Sequence, residues 1–308
     1  MAEQLAFIGL GNMGRGMVKN LVAKGNLSSP LILYNRTQSR ATELSEVLSQ
    51  PTKIASSVAE AVGPSSVTFM CLGDDAAVAD TLNQALELSD VSGKLFVDCS
   101  TVHPDTTRKH ATLLEERGAS FVACPVFGAP PMADAGQLIC VLAGRKEAVE
   151  RVKPFCSGVI GRANIDLSQV SEDPGRASIL KVLGNSMIFQ VVNSVAESMV
   201  VAEKSGLGTD ELQKFLELMF PPFAVSYSNR MKSGQYFELE EPLFGVDWAR
   251  KDLRHVKDVA KGVDAKMKGA DIVDEALVAV KEHAGAKGDI SGVYGVARKE
   301  AGLKYENK

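Results

Sequence analysis

The stretch "LAFIGLGNMGRGM", residues 5–17, decides the fold of the first half of the chain. It opens on a short apolar run, passes through Gly9, Gly11 and Gly14 in the pattern G-x-G-x-x-G, and enters a helical pattern that runs from Met13 to Ala23. The glycine pattern alone says little. Directly after a strand and at the mouth of a helix it describes a turn that binds a dinucleotide. Gly9 permits the tight turn, Gly11 lets backbone approach a pyrophosphate, and Gly14 lets helix and strand pack closely. Leu10, Asn12 and Met13 complete the loop, and the helix N-terminus offers N–H donors to the phosphates.

Outward from this loop the alternation continues. Apolar runs at 30–35, 66–72, 94–100, 120–128 and 136–144 are separated by helical segments, the first of them over 38–48 with Thr37 placed as its N-cap. Strands alternating with helices specify βαβ units and a parallel sheet. The last two runs, joined by a Gly/Pro/Ala-rich segment, leave room for an antiparallel edge. After about residue 172 strand-like runs become rare. Helical patterns fill 176–205, 209–219, 246–262, 269–284 and 291–301, punctuated by "GLG" (206–208) and "FPPF" (220–223). The expected organisation is an α/β Rossmann-type dinucleotide-binding domain over 1–172 and an all-α domain for substrate and oligomerisation over 173–308.

The end of the second strand reads "LYNRT", with Asn35, Arg36 and Thr37 and no acidic residue. An acid there would bind a ribose 2′-hydroxyl and repel a 2′-phosphate. Arg36 pairs with a phosphate instead, with Asn35 and Thr37 as hydrogen-bond donors, so the cofactor expected is NADP(H).

Composition narrows the partners. The net charge of −4 comes with no basic block, which argues against nucleic acid and anionic membrane surfaces. The start "MAEQLAFIGLG" has no leader character, and the apolar stretch 179–202 is interrupted by Lys181, Asn185, Gln190, Asn193 and Glu197. It reads as a buried helix rather than a membrane span. Cys71, Cys99, Cys124, Cys140 and Cys156 form no Cys-x-x-Cys pair and read as reduced thiols in a cytoplasmic protein. The four histidines lack metal-ligand spacing, so no metal is expected. An apolar helix over 176–205 with more than one greasy face needs covering, which suggests a homodimer or homotetramer.

Within that helix, "ILKVLGNSMIF" (179–189) places Lys181 and Asn185 one turn apart on one face. Gly175 stands at its mouth, where the missing side chain lets another group approach the backbone. Hydride transfer to a carbonyl leaves an alkoxide that needs a proton. A desolvated lysine, with its pKa drawn toward working pH, supplies it, and Asn185 orients the lysine or the substrate oxygen.

At this point the chain resembles the β-hydroxyacid dehydrogenases. "GLGNMG", "DCSTVHPDT", "CPVFGAPPMADAGQL", "GRASILKVLGN", "AEKSGL" and "KDL" occur in that family's order and span nearly the whole chain. The resemblance implies that Lys181 is the catalytic acid/base and Asn185 a substrate-site residue. It also implies that Leu72 and Thr101 line the cofactor, that Lys251 closes over it, and that Phe127, Gly128 and Ala129 form the substrate loop. That loop usually reads proline-valine-serine-glycine-glycine, and here it is Pro125-Val126-Phe127-Gly128-Ala129. A hydroxyl that helps bind a substrate carboxylate is replaced by an aromatic ring, which favours a larger or more apolar carbonyl. Ala177 and Gly184 replace the usual glycine and asparagine around the lysine. The function expected is NADP(H)-dependent reduction of an aldehyde or β-hydroxyacid-type substrate, a small-molecule carbonyl or hydroxyacid. An imine reductase-like enzyme and a non-catalytic NADP-binding module are the alternatives.

Overall fold

The computed structural model describes residues 3–308. They divide into two compact units, 1–181 and 182–308.

The first unit is a sheet with helices between its strands. In chain order its elements are β1 (Leu5–Ile8), α1 (Asn12–Lys24), β2 (Leu31–Tyr34), α2 (Gln38–Val47), β3 (Thr52–Ile54), α3 (Val58–Val62), β4 (Val67–Met70), α4 (Asp75–Leu86) and β5 (Leu95–Asp98). Then come α5 (Pro104–Glu115), β6 (Ser120–Ala123), β7 (Val126–Phe127), α6 (Pro130–Asp134), β8 (Leu138–Gly144), α7 (Lys146–Val152) and β9 (Gly161–Asp166). The sheet order is β3-β2-β1-β4-β5-β6-β8-β7, with β9 also paired to β8. From β3 through β6 the pairs are parallel; β8 runs antiparallel to β6 and β7. The antiparallel edge allowed by the sequence is therefore present. The single apolar run 120–128 becomes two strands, because Cys124 and Pro125 carry the chain from β6 to β7.

β1, β4 and β5 are buried on both faces, which is why they read as unbroken apolar runs. The order in which successive strands are added reverses between the parallel neighbours β1 and β4, the place where open α/β sheets bind ligands beyond the strands' carboxyl ends. The glycine loop follows β1, "NRT" follows β2, Leu72 follows β4 and Thr101 follows β5. All lie at that edge.

Helix α8 (Gly175–Lys204) contains the division between the units. Its first turns belong to the sheet unit for local reasons. Ser178 shares a 2.7 Å hydrogen bond with Thr107 of α5, and Ala177 is fully buried in the same apolar cluster as Met70, Val102 and Leu114. At Gly175 the approaching group is Arg108, whose Nε would lie 2.7 Å from an added Cβ. Arg108 is held there by Asp173, which also accepts the Gly175 N–H at 2.9 Å.

The second unit is helical: the rest of α8, then α9 (Thr209–Met219), α10 (Pro222–Ser233), α11 (Gln235–Glu238), α12 (Val246–Lys261), α13 (Lys268–Ala284) and α14 (Val293–Glu300). By length and composition α8 could cross a membrane, yet half of its most apolar window is buried in the protein. Val182, Phe189, Val192, Ala196 and Met199 of α8 share one core with Val246, Ala249, Leu253 and Val256 of α12. The α12 set recurs at steps of three and four, the period of one helix face.

The start of α12 is pinned by Asp289. This carboxylate is 2% exposed, pairs with the buried Arg230, and accepts the N–H groups of Phe244 at 3.0 Å and Ser291 at 2.8 Å. Removing it strands a buried guanidinium and frees the entry to α12. Asp289→Ala is expected to destabilise the second unit by about 3–5 kcal/mol. Urea unfolding followed through Trp248, the chain's one tryptophan and a residue of α12, measures this. An unchanged midpoint contradicts it.

Candidate active site

The glycines of the first loop do different jobs. Gly9 has φ +96°, and a Cβ there would lie 2.4 Å from the Cys71 carbonyl oxygen and 2.8 Å from Leu72 Cδ2. At Gly14 a Cβ would lie 2.0 Å from the Gly9 carbonyl oxygen. Both positions are glycine because the protein's own backbone comes too close for anything larger. At Gly11 a Cβ would meet nothing within 4 Å. The fold does not need a glycine there; a phosphate group lying against the backbone does. Gly11 is also the N-cap of α1 with no side-chain cap, and the first turn of α1 holds no acid. Its N–H groups and dipole suit an anion. The cradle fits the pyrophosphate of a dinucleotide.

Asn35 latches this cradle. Its Oδ1 accepts the Leu10 N–H at 2.9 Å, and its Nδ2 donates to the Thr37 carbonyl at 2.9 Å. Both ends of the amide are engaged, and together they tie the glycine loop to the end of β2. Thr37 is the N-cap of α2 but makes no side-chain cap bond, and Arg36 is exposed. On the far wall the Leu72 N–H donates to Ser100 Oγ at 2.8 Å, and the Ser100 N–H donates to the buried carboxylate of Asp98 at 2.9 Å. This relay fixes the backbone on either side of Leu72 and Thr101, and neither Ser100 nor Asp98 stood out in the sequence.

Lys181 is 8% exposed, and its Nζ stands 4.6 Å from the centroid of the Phe127 ring. The ring face offsets part of the cost of desolvating an ammonium. Phe127 ends β7, paired with Ile139 across the sheet edge. The sequence named both residues; their contact is a finding of the structure.

In the second unit Asn185 is buried, and its Nδ2 donates to Asp252 Oδ2 at 2.6 Å. Lys251 Nζ lies 3.4 Å from the other oxygen of Asp252. That oxygen is buried and accepts no hydrogen bond among the described residues. Lys251 is 7% exposed, so it is no ordinary surface charge of a helix. Asp247, its other candidate partner by spacing, pairs with Lys281 at 2.5 Å. The connecting residue, Asp252, was legible only as a neighbour of Lys251 in "KDL"; no spacing rule links it to Asn185, which is 67 residues away.

All five cysteines are free thiols. Cys124, Cys140 and Cys156 bring their sulfurs within 4.8 Å of one another, a grouping that sequence spacing could not reveal. Each is fully buried in the sheet unit's core, where thiols pack as small apolar groups.

Residues 4–163 match the family described as the NAD binding domain of 6-phosphogluconate dehydrogenase. Residues 175–297 match that described as NAD-binding of NADP-dependent 3-hydroxyisobutyrate dehydrogenase. The chain is 38% identical to the NADH-dependent oxidoreductase ucdB of Aspergillus ustus, over 95% of this chain and 98% of that protein. It is 31% identical to glyoxylate/succinic semialdehyde reductase 1 of Arabidopsis thaliana, over 82% of this chain and 83% of that one. Its fold is like that of a 3-hydroxyisobutyrate dehydrogenase from Salmonella typhimurium, with a TM-score of 0.82 at 20% identity over 96% and 99% of the two chains. With a nicotinamide-nucleotide cradle at the carboxyl edge of its sheet and relatives matched along nearly its whole length, the chain belongs to the β-hydroxyacid dehydrogenase family of NAD(P)-binding oxidoreductases.

Proposed function

We propose that the chain is an NADP(H)-dependent reductase of small carbonyl compounds, reversible toward the corresponding alcohol, with Lys181 as the general acid/base. The observation that carries this reading is the lysine itself. A nearly buried lysine holds its ammonium over an aromatic ring in the unit that carries the dinucleotide cradle. A structural lysine would be expected to extend its ammonium to water.

When bound, the nicotinamide supplies hydride from its C4. The protein's part is to hold the carbonyl and deliver the proton. In reduction Lys181 donates the proton from Nζ to the oxygen as negative charge develops there; in oxidation its neutral amine takes the proton back. Asn185, one helical turn further along α8, is assigned to orient the substrate oxygen, and Asp252 holds its amide. Exposed Met187 and Val201 on α8 support a homo-oligomer that covers this helix.

The preference for NADP(H) rests on the end of β2, where Arg36 is exposed and no acid stands. It departs from the cofactor in the name of the Aspergillus relative, so the cofactor ratio is decisive. Wild type should show a kcat/KM for NADPH at least about tenfold above that for NADH, and Arg36→Ala should erase most of the difference, the loss of one charged phosphate pair. A wild type that prefers NADH overturns the assignment.

The open space at Gly11 gives a second expectation. Gly11→Ala should weaken cofactor binding in a fluorescence titration while moving the unfolding midpoint little. Unweakened binding would show that the cradle is not used.

For the lysine, NADPH consumption across a panel of aldehydes, ketones and a preformed cyclic imine should be Lys181-dependent. Lys181→Ala should retain cofactor binding and lose turnover by a factor of about 10² or more. Undiminished turnover would remove Lys181 from the chemistry. Turnover confined to the imine would favour the imine reductase-like alternative.

A further inference from the structure

The segment from Phe127 to Ala133 is poor in hydrogen-bond donors. Its side chains are those of Phe127, Gly128, Ala129, Pro130, Pro131, Met132 and Ala133, and none donates a hydrogen bond. Pro130 and Pro131 occupy the first helical positions of α6 and have no N–H to offer. The N–H groups of Met132 and Ala133 already donate to the Ala129 carbonyl, at 2.8 and 3.1 Å. An anion held against this segment would find little beyond the backbone of Gly128 and Ala129.

The segment is also held in place. Gly128 has φ +142°, and a Cβ there would lie 2.6 Å from Leu138 Cδ2 and 3.2 Å from Met132 Cβ. Phe127 is fixed by its pairing with Ile139 and packs against the cluster that contains Ile8, Met70 and Ala177. The ring is therefore a wall rather than a mobile flap.

Lys181 connects this wall to the chemistry. An oxygen that receives its proton lies within about 2.6–3.2 Å of Nζ, and Nζ is 4.6 Å from the Phe127 centroid. The reacting oxygen therefore lies within about 8 Å of the ring centroid, close enough for the ring to wall the pocket. The negative face that attracts the ammonium disfavours a carboxylate on the same face, and the flanking segment lacks the donors that would compensate a desolvated anion.

We infer that Phe127 sets the substrate class. The site takes neutral carbonyl compounds with hydrocarbon next to the reacting carbon, and it discriminates against short aldehydes that carry a carboxylate. This rests on Lys181 acting at the carbonyl, the reading proposed above.

Butanal and succinic semialdehyde test it, because they share a four-carbon chain and differ in a terminal carboxylate. With NADPH and the full chain, the wild type should show a kcat/KM for butanal at least about tenfold above that for the acid. Phe127→Ser removes the ring and adds a hydroxyl donor, and should shift the ratio toward the acid by about 10- to 100-fold, the value of a hydrogen bond to a charged group. Phe127→Leu keeps apolar bulk without a donor and should not improve the acid. Thermal unfolding and cofactor titration establish that each variant is folded.

An independent readout uses wild type alone: the primary amide of succinic semialdehyde, neutral at the same position, should be reduced about as well as butanal. A wild type that prefers the acid, or that reduces the amide no better than the acid, overturns the inference. So does a folded Phe127→Ser with an unshifted ratio, and in that case the Lys181 reading stands. If neither aldehyde nor the wider panel is turned over in a Lys181-dependent way, the proposed function fails and this inference fails with it.

Discussion

A lysine side chain held almost out of water is the constraint around which this protein is arranged. Lys181 is 8% exposed in the middle of an apolar helix. A flexible side chain would escape to solvent if its helix could shift. Several features prevent that shift. Thr107 and Ser178 bind α8 to α5, Arg108 closes against Gly175, and Asp173 holds both Arg108 and the helix's first N–H. The Phe127 ring then receives the ammonium on its face. These contacts all lie within the sheet unit, so the lysine is positioned by the same body that carries the nucleotide cradle.

The cradle shows how one motif divides its labour. Gly9 and Gly14 are glycines because Cys71 and Gly9 itself press against them, whereas Gly11 faces open space. Two of the three answer to folding, and the third leaves bare backbone open to whatever the loop holds. Asn35, at the end of the neighbouring strand, holds the loop from outside by accepting one N–H and donating to one carbonyl. A residue expected as a hydrogen-bond donor to a phosphate is, in the fold, a strut of the loop. The proposed preference for NADP(H) accordingly rests most heavily on Arg36, the exposed charge beside it.

Most of the sheet was legible because both faces of β1, β4 and β5 are buried and leave unbroken apolar runs. β9 was not, because its residues "GRANID" are largely polar and partly exposed, and the three-residue β3 at the edge is too short to show a period. Helix α10 was hidden by its own start. Pro221 and Pro222 looked like punctuation, yet proline suits the first turn of a helix, and α10 begins at Pro222. The site was legible in parts. Spacing put Lys181 and Asn185 on one helix face and the glycines in one turn. It could not show Asp252 joining Asn185 to Lys251, or Phe127 meeting Lys181, since those are contacts between distant segments of chain. The placement of the first turns of α8 with the sheet was hidden for the same reason: it depends on α5, not on the linker's composition.

The central claim is that a hydride arrives at a carbonyl carbon while Lys181 protonates the oxygen. The most direct measurement is a single-turnover reaction with NADPH deuterated at the transferring C4 position, run with wild type and with Lys181→Ala and followed by mass spectrometry of the product. The account predicts one deuterium on the former carbonyl carbon in the wild-type product and little labelled product from the variant in the same time. Unlabelled product, or equal labelled product without the lysine, would contradict it.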